Sequence, residues 1–316
     1  MDAAAFFGRS HVLVVAGKGG VGKSTVTATV AVAAARTGRR VLAVELEGRG
    51  ELPRALGLDA ALDWEERTVP DVGPGEVVAR RIRPDDALVE WLRARSLGAI
   101  VRRLRSSGAL EVVSFAIPGI REVLVLGKLK AIERDGAYDL IVVDAPATGH
   151  AVTLLTSPAG LASAARGGPV RRQAEEVVEL LRDPSRCRVL LVTLARELAV
   201  DETIEAAFEV EDRAGVTLAD VVVNQYQAPD PALAAPLSAT DAATLATDVA
   251  AAVEGARRFE RAREEAAADE VRRLLDALPL SLLTLPRVDA RRLGPPEIDL
   301  LADAFLASLA TLGAPR

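Results

Sequence analysis

Gly17-Lys-Gly-Gly-Val-Gly-Lys-Ser-Thr25 is a phosphate-binding loop, and the reading of the chain grows outward from it. Gly17, Gly22, Lys23 and Ser24 fill the pattern G-x-x-x-x-G-K-[ST]. Gly17, Gly19, Gly20 and Gly22 let the backbone wrap phosphate oxygens, so that N–H groups along the loop, Val21 and Thr25 included, turn inward. Lys23 brings positive charge to the β- and γ-phosphates, and the Ser24 hydroxyl is placed to hold Mg²⁺. The flanks agree. His11 to Ala16 is a valine-rich apolar run, as in a buried parallel strand. Lys23 to Thr37 reads as a helix whose N-terminus favours phosphate, with Gly38 as its stop.

Gly17, Gly19 and Gly22 also spell G-x-G-x-x-G, and Glu45 and Glu47 lie near the spacing of a ribose-binding acid. A dinucleotide fold has no need for Lys23-Ser24, so the nucleoside triphosphate reading is preferred. Lysine usage supports it. Of 39 lysines and arginines only Lys18, Lys23, Lys128 and Lys130 are lysine, and two of these sit in the loop. A compact ammonium suits a tight phosphate pocket better than a broad guanidinium. A solvated loop charge is the alternative for Lys18.

The chain has 316 residues, 50% of them apolar, enough for one large α/β domain. A formal charge of −6 gives no footprint for nonspecific nucleic-acid binding. Cys187 is alone and His11 and His150 are the only histidines, which excludes a disulfide framework and an imidazole–thiolate metal site. No signal-peptide pattern opens the sequence and no apolar run reaches membrane-spanning length, so a cytoplasmic protein without membrane insertion is expected.

Strand-like runs recur at Val12–Ala16, Val41–Glu45, Leu140–Asp144, Val189–Thr193, Ala219–Asn224 and Leu282–Leu285. Helical or loop segments separate them, the signature of a mostly parallel sheet with helices on both faces. An edge strand is expected to end in Arg80–Pro84. Asp85–Arg105 and Ile120–Arg134 have helical patterning around an apolar stretch, Ala109–Pro118, and residues 85–135 read as a helical insertion on a single domain spanning 1–316. It offers a partner or cargo surface, or a lid. Lys128 and Lys130 within it read as solvated helix charges. Ala239–Ala268 reads as a long, partly exposed scaffold helix.

Leu140-Ile-Val-Val-Asp144 is an apolar strand ending in an acid, an arrangement that sets a carboxylate beside Mg²⁺. Ala145-Pro-Ala-Thr-Gly-His150 follows, with proline and glycine to shape a loop at the γ-phosphate, as a hydrolysis-sensitive switch requires.

The doubled-lysine loop, Asp144-Ala-Pro-Ala-Thr-Gly-His150 and Pro118-Gly-Ile-Arg-Glu122 together resemble the ArsA / guided-entry-of-tail-anchored-proteins ATPases, here as a bacterial member. These are P-loop NTPases of the deviant Walker A class, which also holds partitioning ATPases and the nitrogenase iron protein. The resemblance covers about residues 10–300. It implies Mg²⁺-dependent ATP hydrolysis by a dimer with nucleotides at its interface. Lys18 then reaches the phosphates of a second P-loop chain, identical or a paralogue. It also implies that Asn224 hydrogen-bonds the adenine, with Pro286 beside the base; a strand-end turn former is the plainer reading of Asn224.

Departures are equally informative. The family's first switch has a D-P-A-H core, whereas Glu45-Leu-Glu-Gly-Arg49 stands here. Glu47 falls at the water-positioning acid and Glu45 behind it; surface acids are the alternative for both. The cysteines of a zinc clamp or an arsenite site are missing, and Met1 is the only methionine, so a cargo groove would have to use residues such as those of Leu110–Leu129. A membrane-protein client or membrane subunit is the expected partner class. The alternative is a nucleotide-switched binding module of the partitioning or division-site type. Pro296–Gly313 carries no lysine or arginine, which argues against an anionic-lipid helix. A lone Cys187 rules out a cluster-sharing redox partner.

Overall fold

Side chains alternate across a strand, so a run that is apolar at every position must be covered on both faces. In the computed structural model, which describes residues 2–48, 50–96 and 118–312, eight strands form one sheet, and its inner strands are covered in this way. They are β1 Val12–Gly17, β2 Arg40–Glu45, β3 Arg67–Val69, β4 Glu76–Arg81, β5 Leu140–Ala147, β6 Cys187–Leu194, β7 Leu218–Asn224 and β8 Leu282–Thr284. Their order is β3-β4-β2-β5-β1-β6-β7-β8, with only the β3–β4 pair antiparallel.

On one face Leu13, Val15, Ala43 and Val192 pack beneath the helices Lys23–Arg36 and Pro295–Leu312. The first of these is buried without interruption from Val26 to Ala35, so it needs no amphipathic stripe. The second presents Ile298, Leu301, Phe305 and Leu309 to the core. Each such buried side chain contributes about 1.5–3 kcal/mol. The other face, with Val14, Leu42, Val143 and Leu191, lies under Ile120–Asp135, Thr148–Ala164 and Gly168–Arg182.

Strand order positions the site and decides between the two glycine readings. β5 sits between β1 and β2, with Val15 opposite Asp144 and Asp144 opposite Glu45. A dinucleotide fold sets its first two strands side by side. Here the loop strand instead neighbours the strand that carries Asp144.

Several expectations shift. β4 is not an edge strand, because the three-residue β3 covers it; so short a strand carries too few alternations to be read. Of the 85–135 segment, helices Pro84–Arg93 and Ile120–Asp135 are described, while residues 97–117, with most of Ala109–Pro118, lie outside the described residues. Ile120–Asp135 is a sheet-covering helix rather than part of an appendage, since Val125, Leu126, Leu129 and Ile132 belong to the core against the sheet. Gly119, with φ 81°, provides the left-handed turn into it. Neither lysine of this helix is a solvated charge. Lys130 is buried and donates to Glu176, while Lys128 donates to Glu90 at 2.7 Å and lies 5.2 Å from the centre of the Trp64 ring. The alanine-rich stretch splits into Ala239–Ala243 and a longer helix, Thr247–Ala277, which runs past the expected end.

Candidate functional site

The loop leaves β1 at Gly17 and re-enters regular structure at Lys23. Gly20 and Gly22 take φ values of 87° and 92°, the left-handed region that favours glycine. Gly22 caps the helix Lys23–Arg36. The first-turn N–H groups of that helix have no intrahelical acceptors and face the cavity as an anion site. A side chain is excluded at two points. A Cβ at Gly17 falls 2.2 Å from the Val192 carbonyl oxygen, and one at Gly22 falls 2.3 Å from Asn224 Nδ2. Gly22→Ala is therefore expected to weaken ATP binding more than about tenfold, since a strained residue costs about 1–3 kcal/mol and a bound loop cannot relax it. Equilibrium dialysis checks this; parental affinity would contradict it.

A cavity of about 340 Å³ lies over the loop, lined by Gly20, Gly22, Lys23, Ser24, Thr25, Glu47, Glu51, Arg54 and Asp144 among others. Ser24 donates to Asp144 Oδ2 at 2.6 Å, and Lys23 Nζ donates to the Lys18 carbonyl at 3.1 Å. Asp144 Oδ1 is buried with no hydrogen-bond partner. The Ser24 hydroxyl and the Asp144 carboxylate, one of whose oxygens is unsatisfied, are hard oxygen donors of the kind that suits Mg²⁺. Burial pushes the Asp144 carboxyl up to about 6, against the Ser24 hydrogen bond and the Lys23 charge that lower it. Glu45 is buried beside it and also raised, chiefly by desolvation, with Arg81 and the Gly50 N–H opposing.

A second cavity, of about 540 Å³, adjoins the first through Gly22, Thr25 and Leu293. Asn224 and Pro286, the two residues that the resemblance sets beside a base, both line it. Asn224 is buried, donates to the Val21 carbonyl at 2.9 Å and accepts from the Gln225 N–H at 3.0 Å. It thus braces the loop, with one amide hydrogen and one lone pair left for a ligand.

Two placements differ from expectation. Ala145–His150 does not form a loop: β5 continues through Ala147, in register with Gly17, and the helix Thr148–Ala164 starts at the next residue. Lys18 does not project freely. Its ammonium donates to Glu202 on the helix Glu197–Phe208 at 2.6 Å, with both side chains about one-third exposed. Sequence reading missed Glu202, Glu51 and Arg54. The last two lie on the short helix Glu51–Ala55, just beyond the Glu45–Arg49 stretch that departs from the D-P-A-H pattern. Nothing local marks Glu202.

The comparisons fit this geometry. Residues 10–166 match the family described as anion-transporting ATPase. The chain is 37% identical over 218 residues to the ATPase BagA of Mycobacterium tuberculosis, a match covering 67% of this chain and 64% of that protein's length. It is 28% identical over 226 residues to a putative arsenical pump-driving ATPase of Halobacterium salinarum, covering 66% of this chain and 34% of that protein. It is 29% identical over 150 residues to the ATPase get3 of Schizosaccharomyces japonicus, covering 48% and 44% respectively. With the loop, the Asp144 strand and their spacing all inside the matched segment, the chain belongs to the ArsA-type, anion-transporting ATPase family.

Proposed function

We propose that the chain hydrolyses ATP as a cytoplasmic two-chain switch, in which Lys18 of each chain completes the phosphate site of the other. The observation that carries the reading is the meeting of Lys23, Ser24, Glu47 and Asp144 on one cavity, next to a second cavity with Asn224 and Pro286. Loop N–H groups and Lys23 hold the phosphates, and Asn224 and Pro286 flank the base. Ser24 and Asp144 would hold Mg²⁺, which would offset charge on the phosphates. Glu47 orients a water whose oxygen bonds to the γ-phosphorus as the bond to the β-phosphate oxygen breaks, leaving ADP and inorganic phosphate. Glu45 backs this arrangement from behind Asp144.

Nucleotide state then drives dimer closing and opening, and through it transport or targeting of a client. The names of the relatives, an arsenical pump-driving ATPase and get3, support that class of role. Arsenic chemistry is not carried over. Cys187, the sole cysteine, is buried, and burial pushes its thiol up to about 12. A membrane subunit or membrane-protein client fits the transport reading, and no described helix is long and apolar enough to cross a membrane itself. The binding-module alternative gains little from the helix Pro295–Leu312, which carries no lysine or arginine and buries Ile298, Leu301, Phe305 and Leu309 in the core.

ATPase assays with and without Mg²⁺, with sedimentation in ATP and in ADP, test the proposal. Mg²⁺-dependent turnover and an ATP-favoured dimer are expected; a monomer that turns over ATP at full rate contradicts it. Lys18 must leave Glu202 to reach a second chain, so Glu202→Gln is expected to favour the dimer and raise the basal rate. A partly exposed ion pair is worth about 0.2–1 kcal/mol, so the gain is up to about fivefold. An unchanged monomer fraction and rate would show that this pair does not restrain Lys18.

A further inference from the structure

Building on the ATP reading above, we infer that Arg54 is a second phosphate-binding cation, supplied by the same chain from the segment that carries Glu47. The cavity over the loop presents three carboxylates, Glu47, Glu51 and Asp144, but only two cations, Lys23 and Arg54. Nucleoside triphosphate adds further negative charge to that space. Lys18 is drawn away by Glu202 at 2.6 Å, so within one chain Arg54 is the remaining group on the cavity wall able to balance it.

Several other arginines of the chain are held by carboxylates. Arg36 pairs with Asp299 and Asp303, Arg40 with Glu76 and Arg80 with Glu66. Among the described residues Arg54 takes part in no ion pair. Its exposed guanidinium, on the wall of the cavity over the loop, is therefore available to a ligand there. Its backbone is fixed. Arg54 lies on the short helix Glu51–Ala55, where Leu52, Ala55 and Leu56 are buried in the core beside the helix Lys23–Arg36. The side chain is long and exposed on that fixed base, and its planar fork matches two phosphate oxygens at once.

The placement couples binding to position. Glu47 and Arg54 belong to one stretch between β2 and the end of the short helix, so a phosphate held by Arg54 also holds the stretch that aims Glu47. When phosphate leaves, that tether is released. In this way one stretch of chain supplies a cation together with the longer acid of Glu47.

The test uses the full chain with Arg54→Ala, Arg54→Lys and, as a control on the loop, Lys23→Ala. Calorimetric affinities for ATP and AMP, steady-state rates and ligand-free thermal unfolding are measured. Loss of one charge-assisted contact predicts ATP binding about tenfold or more weaker in Arg54→Ala. Arg54→Lys recovers part of it, KM rises more than kcat falls, AMP loses less than ATP, and ligand-free unfolding is unchanged. Parental ATP affinity in Arg54→Ala overturns the assignment, as does a loss matched by lower ligand-free stability. A parental chain that binds no ATP, and so does not differ from Lys23→Ala, instead overturns the reading of the loop on which the assignment rests.

Discussion

Lys18→Ala is expected to bind ATP nearly as the parental chain does and to hydrolyse it roughly 10³-fold more slowly or worse. A cation donated across an interface to a transferring phosphoryl group is worth roughly 10³–10⁵ in rate, because it meets charge that develops in the transition state. Binding is spared because the loop's own ammonium, Lys23, faces the cavity of its own chain. Lys18 faces Glu202 instead. The separation of the two effects is the point. Lys23→Ala is expected to lose affinity and rate together, whereas Lys18→Ala loses rate alone. Single-turnover kinetics at saturating ATP measure the second quantity directly. If Lys18→Ala turns over at the parental rate, the lysine is a surface charge paired with Glu202 and nothing more.

Asp144→Asn should abolish Mg²⁺-dependent turnover and yet stabilise the ligand-free chain. Burial raises the Asp144 carboxyl from 3.8 to about 6. The sign follows from proton counting. Between these values the folded chain holds a proton that the unfolded chain has released, so stability is full below pH 4 and falls as pH rises towards 6. Above that, the ionised buried group costs about 1–3 kcal/mol. The amide removes this cost. Asp144→Asn is therefore predicted to be more stable than the parental chain at pH 7.5 by about 1–3 kcal/mol, with the difference vanishing near pH 4. Denaturant unfolding of the metal-free proteins at the two pH values checks it. Equal stability at pH 7.5 would mean the carboxylate is not strained by burial. Added Mg²⁺ should reverse the order, stabilising the parental chain and leaving the variant unaffected.

The sheet was legible in the sequence because its inner strands are apolar at successive positions and bounded by turn residues. Val12–Ala16 and Leu140–Asp144 needed no tertiary information to be recognised. β3 was not legible: Arg67–Val69 is held by pairing with β4, a contact between segments. The loop at Ala145–His150 was misread for the opposite reason. Pro146 and Gly149 are local turn signals, but ladder pairing of Ala147 with Gly17 carries β5 past the proline, and the helix follows at once.

The site divides in the same way. Lys23 and Ser24 follow from spacing alone, and Asp144 from its place at a strand end. The Lys18–Glu202 pair joins residues far apart in the chain, so only the fold brings them together. Asn224 shows how one residue can hold two readings. The family resemblance marked it for the adenine, but its geometry adds a brace on the loop, through Val21, that no spacing rule contains.

Whether one chain lends an amine to its neighbour's nucleotide is tested most directly by mixing two inactive proteins. Lys18→Ala retains Asp144 and lacks the donated lysine, whereas Asp144→Asn retains the lysine and lacks the metal-side acid. A mixed dimer then contains one complete site, assembled from the Asp144 of one chain and the Lys18 of the other. With random pairing, half of the dimers are mixed and one of their two sites works, so recovery of about a quarter of the parental rate is predicted. Differently tagged chains confirm that mixed dimers form. If they form and the mixture stays as inactive as its components, Lys18 does not act across the interface.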